Sequence, residues 1–262
     1  MLGLAIFLEK GETSYTVFNC SGEVIEEGSA PSVLEEEVSS LVTYIEHIRH
    51  AHPKIHSVAI GVPGAVNNGR IFFIPSYEKY RDVDLKGVLE EQLSIPVVVE
   101  NDMNAAALGY LENRKMKDSH SLIYLYLGQN GPGAGIVVNG EIVRGKTFFS
   151  GEVAFIPQYE DKSFYQALAY ECKKEAAVSR SEQRIDAVAR LVASMTAILN
   201  PHSFIFCADE VDPSMLHRIA ERSAAYVPQE HLPELAAGDW RKDYLYGLRG
   251  LGLSLLLSHT RT

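Results

Sequence analysis

The chain is 262 residues long, 46% hydrophobic, and carries 34 acidic against 24 basic side chains, for a net charge of −10. Length and apolar content allow one large domain or two modest ones around a real core, whereas the acid excess excludes a nucleic-acid surface, because phosphate binding rests on Lys and Arg. Cys20, Cys172 and Cys207 form no C-x-C or C-x-x-C group, so neither a zinc knuckle nor a disulfide framework is expected, and the thiols fit a reducing, cytoplasmic setting.

In chain order, MLGLAIFLEKGE has no basic leader and meets an acid within ten residues, which predicts a first strand and not a signal peptide. SYTVFN and EVIEEG, separated by a turn at Cys20-Ser21-Gly22, continue a meander. A crossover helix is expected from Pro31 to His50, with Leu34, Val38, Leu41, Ile45 and Ile48 as its apolar stripe. His50, His52 and His56 follow it with no carboxylate or cysteine spaced to join them, and Pro53 interrupts them. They read as a solvated helix end, not a metal site. SVAIGVPG predicts a buried strand closed by a Gly-Val-Pro-Gly turn, and a helix around Leu85 to Leu93 leads to the strand VVVEN. The second half starts again with the strand SLIYLYLG and with GAGIVVNGEIVRG, a hairpin turned on Asn139-Gly140. Phe164 to Leu199 read as largely helical, FIFCA at Phe204 to Ala208 as a strand, and about Arg241 to Leu257 as a last helix. The Gly-Leu-Arg-Gly-Leu-Gly spacing of that helix suits close packing on a neighbour. Hairpins followed by helical crossovers thus recur, which predicts an α/β fold, and no apolar run approaches membrane-spanning length.

The stretch Val97 to Tyr110, VVVENDMNAAALGY, is the most informative. An apolar strand runs directly into a helix that Asn101 or Asp102 can cap, so the Asp102 carboxylate stands at the rigid mouth of a sheet, where open α/β sheets bind ligands. Taken alone, Asp102 is either a helix cap or a group that meets a bound hydroxyl.

Four segments in order, GVPGAV at Gly61, ENDMNAAALG at Glu100, GPGAGIVVNG at Gly131 and SGEVAF at Ser150, span much of the chain and resemble the repressor, open reading frame and kinase (ROK) family of sugar kinases and sugar-responsive repressors. The resemblance implies an actin-like ATPase (ribonuclease H-like) fold with two α/β domains, residues 1–115 plus 241–262 and residues 116–240, and an interdomain cleft. It implies a sugar side made of Gly61, Pro63 and Gly64 against the ring, with Asn101, Asp102 and Glu152 on its hydroxyls. Converging amide and carboxylate acceptors on rigid turns suit a sugar, and Asp102 can take a hydroxyl proton in a phosphoryl transfer.

The nucleotide side departs from the family pattern. Kinases of the family begin with Asp-x-Gly-Gly-Thr; here Ala5 replaces the acid, Phe7 and Leu8 replace the glycines, and Glu9 sets negative charge where a phosphate would sit. The second phosphate loop keeps Gly131, Gly133 and Gly135, but Gln129 and Asn130 replace its opening. The glycine run expected after Asn200-Pro201 is replaced by Ala208-Asp209-Glu210. Ala154 and Phe155 replace the Gly-His pair of the family's zinc site, and no cysteine follows until Cys172, so no metal site is expected.

Three functions follow as expectations. The first is a non-catalytic sugar sensor, similar to the effector domains of the family's N-acetylglucosamine and xylose repressors, with no helix-turn-helix of its own in this chain. The second is an ATP-dependent sugar kinase with Asp102 as base, the one case in which Mg-ATP is a cofactor. The third is a ligand-free interaction protein. Loss of the metal-serving acid, which removes roughly several kcal/mol of transition-state stabilisation, favours the first. A small-molecule sugar is the expected partner, without membrane or direct nucleic-acid contact, and homodimerisation is expected by analogy.

Overall fold

The computed structural model describes residues 1–116, 119–128, 131–159, 161–168 and 177–258. Chain contacts divide it into two compact units, Met1–Arg114 with Arg241–Thr262, and Lys115–Trp240. The first unit opens with β1 (Leu2–Leu8), β2 (Glu12–Asn19) and β3 (Val24–Pro31). β1 is buried almost throughout, as a central strand should be, while β3 is mostly exposed and carries Glu26 and Glu27, the charges that protect a sheet edge.

The expected helix from Pro31 is corrected: α1 runs over Val38–Ala51. Ser32 Oγ donates to the Glu9 carbonyl at 2.6 Å and Thr13 Oγ1 accepts from Val33 N at 3.0 Å. These bonds hold Val33–Glu35 as a short 3-10 turn that buries Val33 and Leu34 against the first hairpin. The helix therefore starts later, and Leu41, Ile45 and Ile48 form its buried stripe. His52 has a carboxylate neighbour that spacing could not reveal, since its Nε2 lies 2.9 Å from Glu26 on β3.

β4 (Ile55–Val62) precedes a three-stranded sheet absent from the sequence reading, formed by β5 (Ala65–Asn67), β6 (Arg70–Phe73) and β7 (Val83–Asp84). Its one sequence signal is Asn68-Gly69, both with positive φ (48° and 86°), the conformation of a tight hairpin turn. α2 (Leu85–Leu93) starts where the Asp84 carboxylate accepts from Gly87 N, and β8 (Val97–Asn101) and α3 (Asp102–Asn113) follow.

The second unit contains β9 (Leu122–Tyr126), β10 (Gly133–Val138), β11 (Glu141–Ile142), α4 (Phe164–Leu168), α5 (Ala177–Leu199), β12 (Ser203–Cys207), α6 (Pro213–Ser223) and β13 (Glu234–Gly238). The helix expected from Phe164 to Leu199 is described as α4 and α5; Cys172 and the segment between them lie outside the described residues. α6 escaped the sequence reading although Asp212 caps it and Pro213 opens it, a standard start signal. β13 gave no signal, because ELAAG is poor in strand-forming residues. α7 (Trp240–Ser258) closes the described chain, and no described helix is long and apolar enough to cross a membrane.

The two main sheets have the orders β3-β2-β1-β4-β8 and β11-β10-β9-β12-β13. In each, the first three strands form an antiparallel meander and the last two run parallel to its inner strand. The units thus repeat one plan, each with a core between its sheet and helices packed on it. In the first unit α3 and α7 meet backbone to backbone. A Cβ at Gly109 would lie 1.7 Å from the Asp243 carbonyl oxygen, and one at Gly247 would lie 1.9 Å from that of Ala105. The glycines of α7 thus serve the close packing their spacing predicts.

Candidate functional site

The site residues of the first unit lie where β1, β4 and β8 end in parallel. Register aligns Phe7 with Gly61 and Gly61 with Glu100, and then Val62 with Asn101. After β4 the chain turns at Pro63, closed by a bond from Gly64 N to the Val62 carbonyl at 2.9 Å. Gly64 is required there, since a Cβ would lie 2.3 Å from the Phe73 carbonyl oxygen.

Asn101 is the helix cap, with its Oδ1 accepting from Asn104 N at 2.9 Å. Its Nδ2 donates to the Gly64 carbonyl at 3.1 Å and to Asp102 Oδ1 at 2.9 Å, which commits both amide hydrogens. Asp102 Oδ1 also accepts from Met103 N at 2.8 Å. Buried Glu100 completes the frame by accepting from Asn101 N at 2.9 Å and Asn104 Nδ2 at 3.1 Å. Asn101 therefore positions, tying the Gly64 turn to the half-buried Asp102 carboxylate. Glu100 and Asn104 are positioning groups that the sequence reading passed over.

Tyr244 of α7 was also missed. Its hydroxyl covers Gly61, where a Cβ would lie 1.9 Å away, and its ring lies 4.2 Å from that of Phe7. Gly61 thus sits inside β4 and makes room for Tyr244. Complete burial raises the Tyr244 pKa well above that of an ordinary tyrosine, and the charges of Asp102, Glu9 and Glu100 push it the same way. No local pattern marks Tyr244, because it reaches Phe7 and Gly61 only through the packing of α7.

At the end of β1, Ala5, Phe7 and Leu8 are all buried. The hairpin that follows closes on itself, with Glu9 N donating to the Glu12 carbonyl at 3.0 Å. Burial raises the pKa of Glu9, and Arg241, 3.3 Å away, lowers it in part. This end of the sheet presents an apolar plug and a carboxylate.

In the second unit, Gly133 and Gly135 are strand residues of β10, and Gly131 takes positive φ (96°). Gln129 and Asn130 lie outside the described residues. At the mouth of β9 the Leu127 amide is held by Glu210, at 2.8 and 3.0 Å from its two carboxylate oxygens. Burial raises the Glu210 carboxyl to about 7, with the Leu127 bond opposing that rise. The folded protein therefore binds this proton more tightly than the unfolded chain, and stability falls as pH rises from about 4.5 to 7. Glu210→Gln, which resembles the neutral form, is expected to be nearly silent at pH 5 and to stabilise by about 1–2 kcal/mol at pH 8, allowing for partial exposure. Urea unfolding at the two pH values measures this.

Glu152 follows Gly151, whose positive φ (93°) permits a turn that a Cβ would block at 2.0 Å from the Ala134 carbonyl oxygen. Its half-buried carboxyl has a raised pKa caused by desolvation, and it has no side-chain partner among the described residues. Elsewhere in this unit, Asp186 of α5 accepts from Tyr159, Arg190, Arg222 and Tyr226. Burial alone would raise its pKa, but these four donors together hold it well below the usual carboxylate range. The hub ties α5 to α6 and to the segment before α4. Among the described residues, no group of three or more His, Cys, Asp or Glu side chains is gathered as for a metal.

Two α/β units that repeat a meander with two added parallel strands define the actin-like ATPase class. The fold superposes on the ROK hexokinase from Thermus thermophilus with a TM-score of 0.77 at 19% identity, covering 100% of both chains. The chain belongs to the ROK family, whose defining pattern matches residues 6–163. It is 34% identical over 148 residues to a xylose repressor of Caldicellulosiruptor bescii, covering 52% of this chain and 36% of that one. It is 32% identical over 170 residues to a glucokinase of Streptomyces coelicolor, covering 61% of this chain and 51% of that one. The chain therefore spans only a third to a half of the length of these curated relatives.

Proposed function

We propose that this chain is a sugar-binding domain of the regulatory kind, one that reads a sugar without phosphorylating it. The supporting observation is a contrast at the mouth of one sheet. Asn101 locks the Gly64 turn to Asp102, whose carboxylate is thereby a preorganised acceptor for a ring hydroxyl, while the adjacent end of β1 is filled by Phe7, Leu8 and the overlying Tyr244. Within the second unit, Glu152 carries a half-buried carboxylate of its own and Glu210 occupies the amide at the end of β9. Family relatives include both repressors and kinases, and this division of kept and lost chemistry favours the former.

Thermal shift and calorimetry with hexoses, amino sugars and pentoses, each with and without Mg-ATP, test the reading. A sugar is expected to raise the melting temperature and Mg-ATP to add nothing. Asp102→Asn should weaken that sugar about 10- to 100-fold while the chain stays folded, since the amide keeps the shape but loses the charge that strengthens the hydrogen bond.

The pinned position of Asp102 at the start of α3 also suits a general base, which supports a kinase as the second reading. Sugar-dependent ADP release that disappears in Asp102→Asn would establish the kinase and remove the sensor. If no sugar shifts the melting point at millimolar concentration, the protein is an interaction module.

A further inference from the structure

Residues 149 to 155 fold back on themselves around Glu152. Glu152 N donates to the Phe149 carbonyl at 3.2 Å, Phe155 N donates to the Glu152 carbonyl at 3.2 Å, and the Gly151 carbonyl accepts from Val153 N at 2.7 Å and Ala134 N at 2.8 Å. The bend brings Phe149 and Phe155 together, with ring centroids 5.2 Å apart and planes at 46°. Both stay in solvent, exposed by 54% and 64%. Phe148, just before them, holds a φ of +59°, a conformation that costs a bulky residue on the order of 1 kcal/mol. A strained bend that carries two water-exposed rings in mutual contact, on either side of a carboxylate with no partner among the described residues, is not an ordinary scatter of surface apolar groups.

We infer that Phe149 and Phe155 form an apolar ledge beside Glu152 that selects a sugar bearing a methyl, methylene or acyl group next to the hydroxyl that Glu152 accepts. The inference rests on the proposed sugar binding. Rings in contact with each other leave no gap to enclose a cation between them, so the pair works as a continuous surface and not as an aromatic cage. Phenylalanine offers no partner to a hydroxyl, so a fully hydroxylated ring set on the ledge gives up water without replacing its hydrogen bond. A carbon substituent there loses nothing and covers exposed ring surface. Discrimination by such a surface is modest, about 10- to 100-fold, because an apolar wall rejects an added hydroxyl only weakly.

The test is calorimetry on the full chain with parent hexoses and their matched 2-deoxy, 6-deoxy and N-acetyl derivatives. At least one derivative is expected to bind about tenfold more tightly than its parent. Phe155→Ala and Phe149→Ala should each reduce that ratio toward one, with only a small change in the melting temperature of the unliganded protein because both rings are more than half exposed. If sugars bind but the ratio is near one, or the alanine variants leave it unchanged, the ledge is refuted and the sugar-binding reading stands. A ratio left unchanged by Phe155→Ala together with a lower sedimentation coefficient would assign the pair to a contact between copies of the chain. If no sugar or derivative binds, both readings fall.

Discussion

Gly109→Ala is expected to destabilise the first unit by more than about 3 kcal/mol and to lower its urea midpoint sharply. The added methyl would lie 1.7 Å from the Asp243 carbonyl oxygen and 2.5 Å from Gly247 N, so it meets the backbone of α7 and not a side chain that can turn aside. The two helices must separate, and the loss of contact along their seam adds to the strain of overpacking. Gly250→Ala on the same helix is the control. Its methyl would lie 2.3 Å from Glu112 Oε2, the free end of a flexible side chain that can swing away. Replacing glycine inside a helix gains up to about 1 kcal/mol, so this variant should be neutral or stabilising. Equal losses in both variants would refute backbone packing as the cause.

Arg114→Ala is expected to cost about 3 kcal/mol at neutral pH. Arg114 Nη1 lies 3.0 Å from Asp243 Oδ1, and the Asp243 side chain is only 1% exposed while that of Arg114 is 34% exposed. The guanidinium also stacks on the Tyr110 ring at 3.5 Å. Removing it takes the Arg114 charge away from a buried carboxylate, which costs more than the pair itself contributes. The partial exposure of Arg114 places the effect at the low end of the range for buried pairs. Asp243→Asn in the Arg114→Ala background should recover part of the loss, and a double-mutant cycle by denaturant unfolding measures the coupling. Strict additivity would mean that the pair does not interact.

The site was legible where its signals are local. Asn101 and Asp102 follow an apolar strand and precede an alanine-rich helix, so caps and periodicity alone place them at the end of β8. The hairpin at Asn139-Gly140 was legible for the same reason, because a two-residue turn with positive φ leaves few alternatives. In the sequence Glu9 stands only as a charge where a phosphate would sit, whereas its pairing with Arg241 joins opposite ends of the chain and appears only in the fold. Glu210 marks in the sequence only the loss of an expected glycine, and only the fold gives it the Leu127 amide and a raised pKa.

By itself the sequence determined the recurring α/β plan of hairpins and helical crossovers, the buried central strands, the close-packing glycines of α7 and the strand-to-helix junction that carries Asp102. Each depends on the alternation or turn chemistry of neighbouring residues, which the chain carries whatever surrounds it. Only the tertiary structure decided that Tyr244 covers Gly61, that Asn101 spends its amide on Gly64 and Asp102, that four donors converge on Asp186, and that Phe149 meets Phe155 around Glu152. Those are contacts between side chains and backbone brought together by packing, and the energy of such a contact depends on burial and distance, which no local pattern encodes.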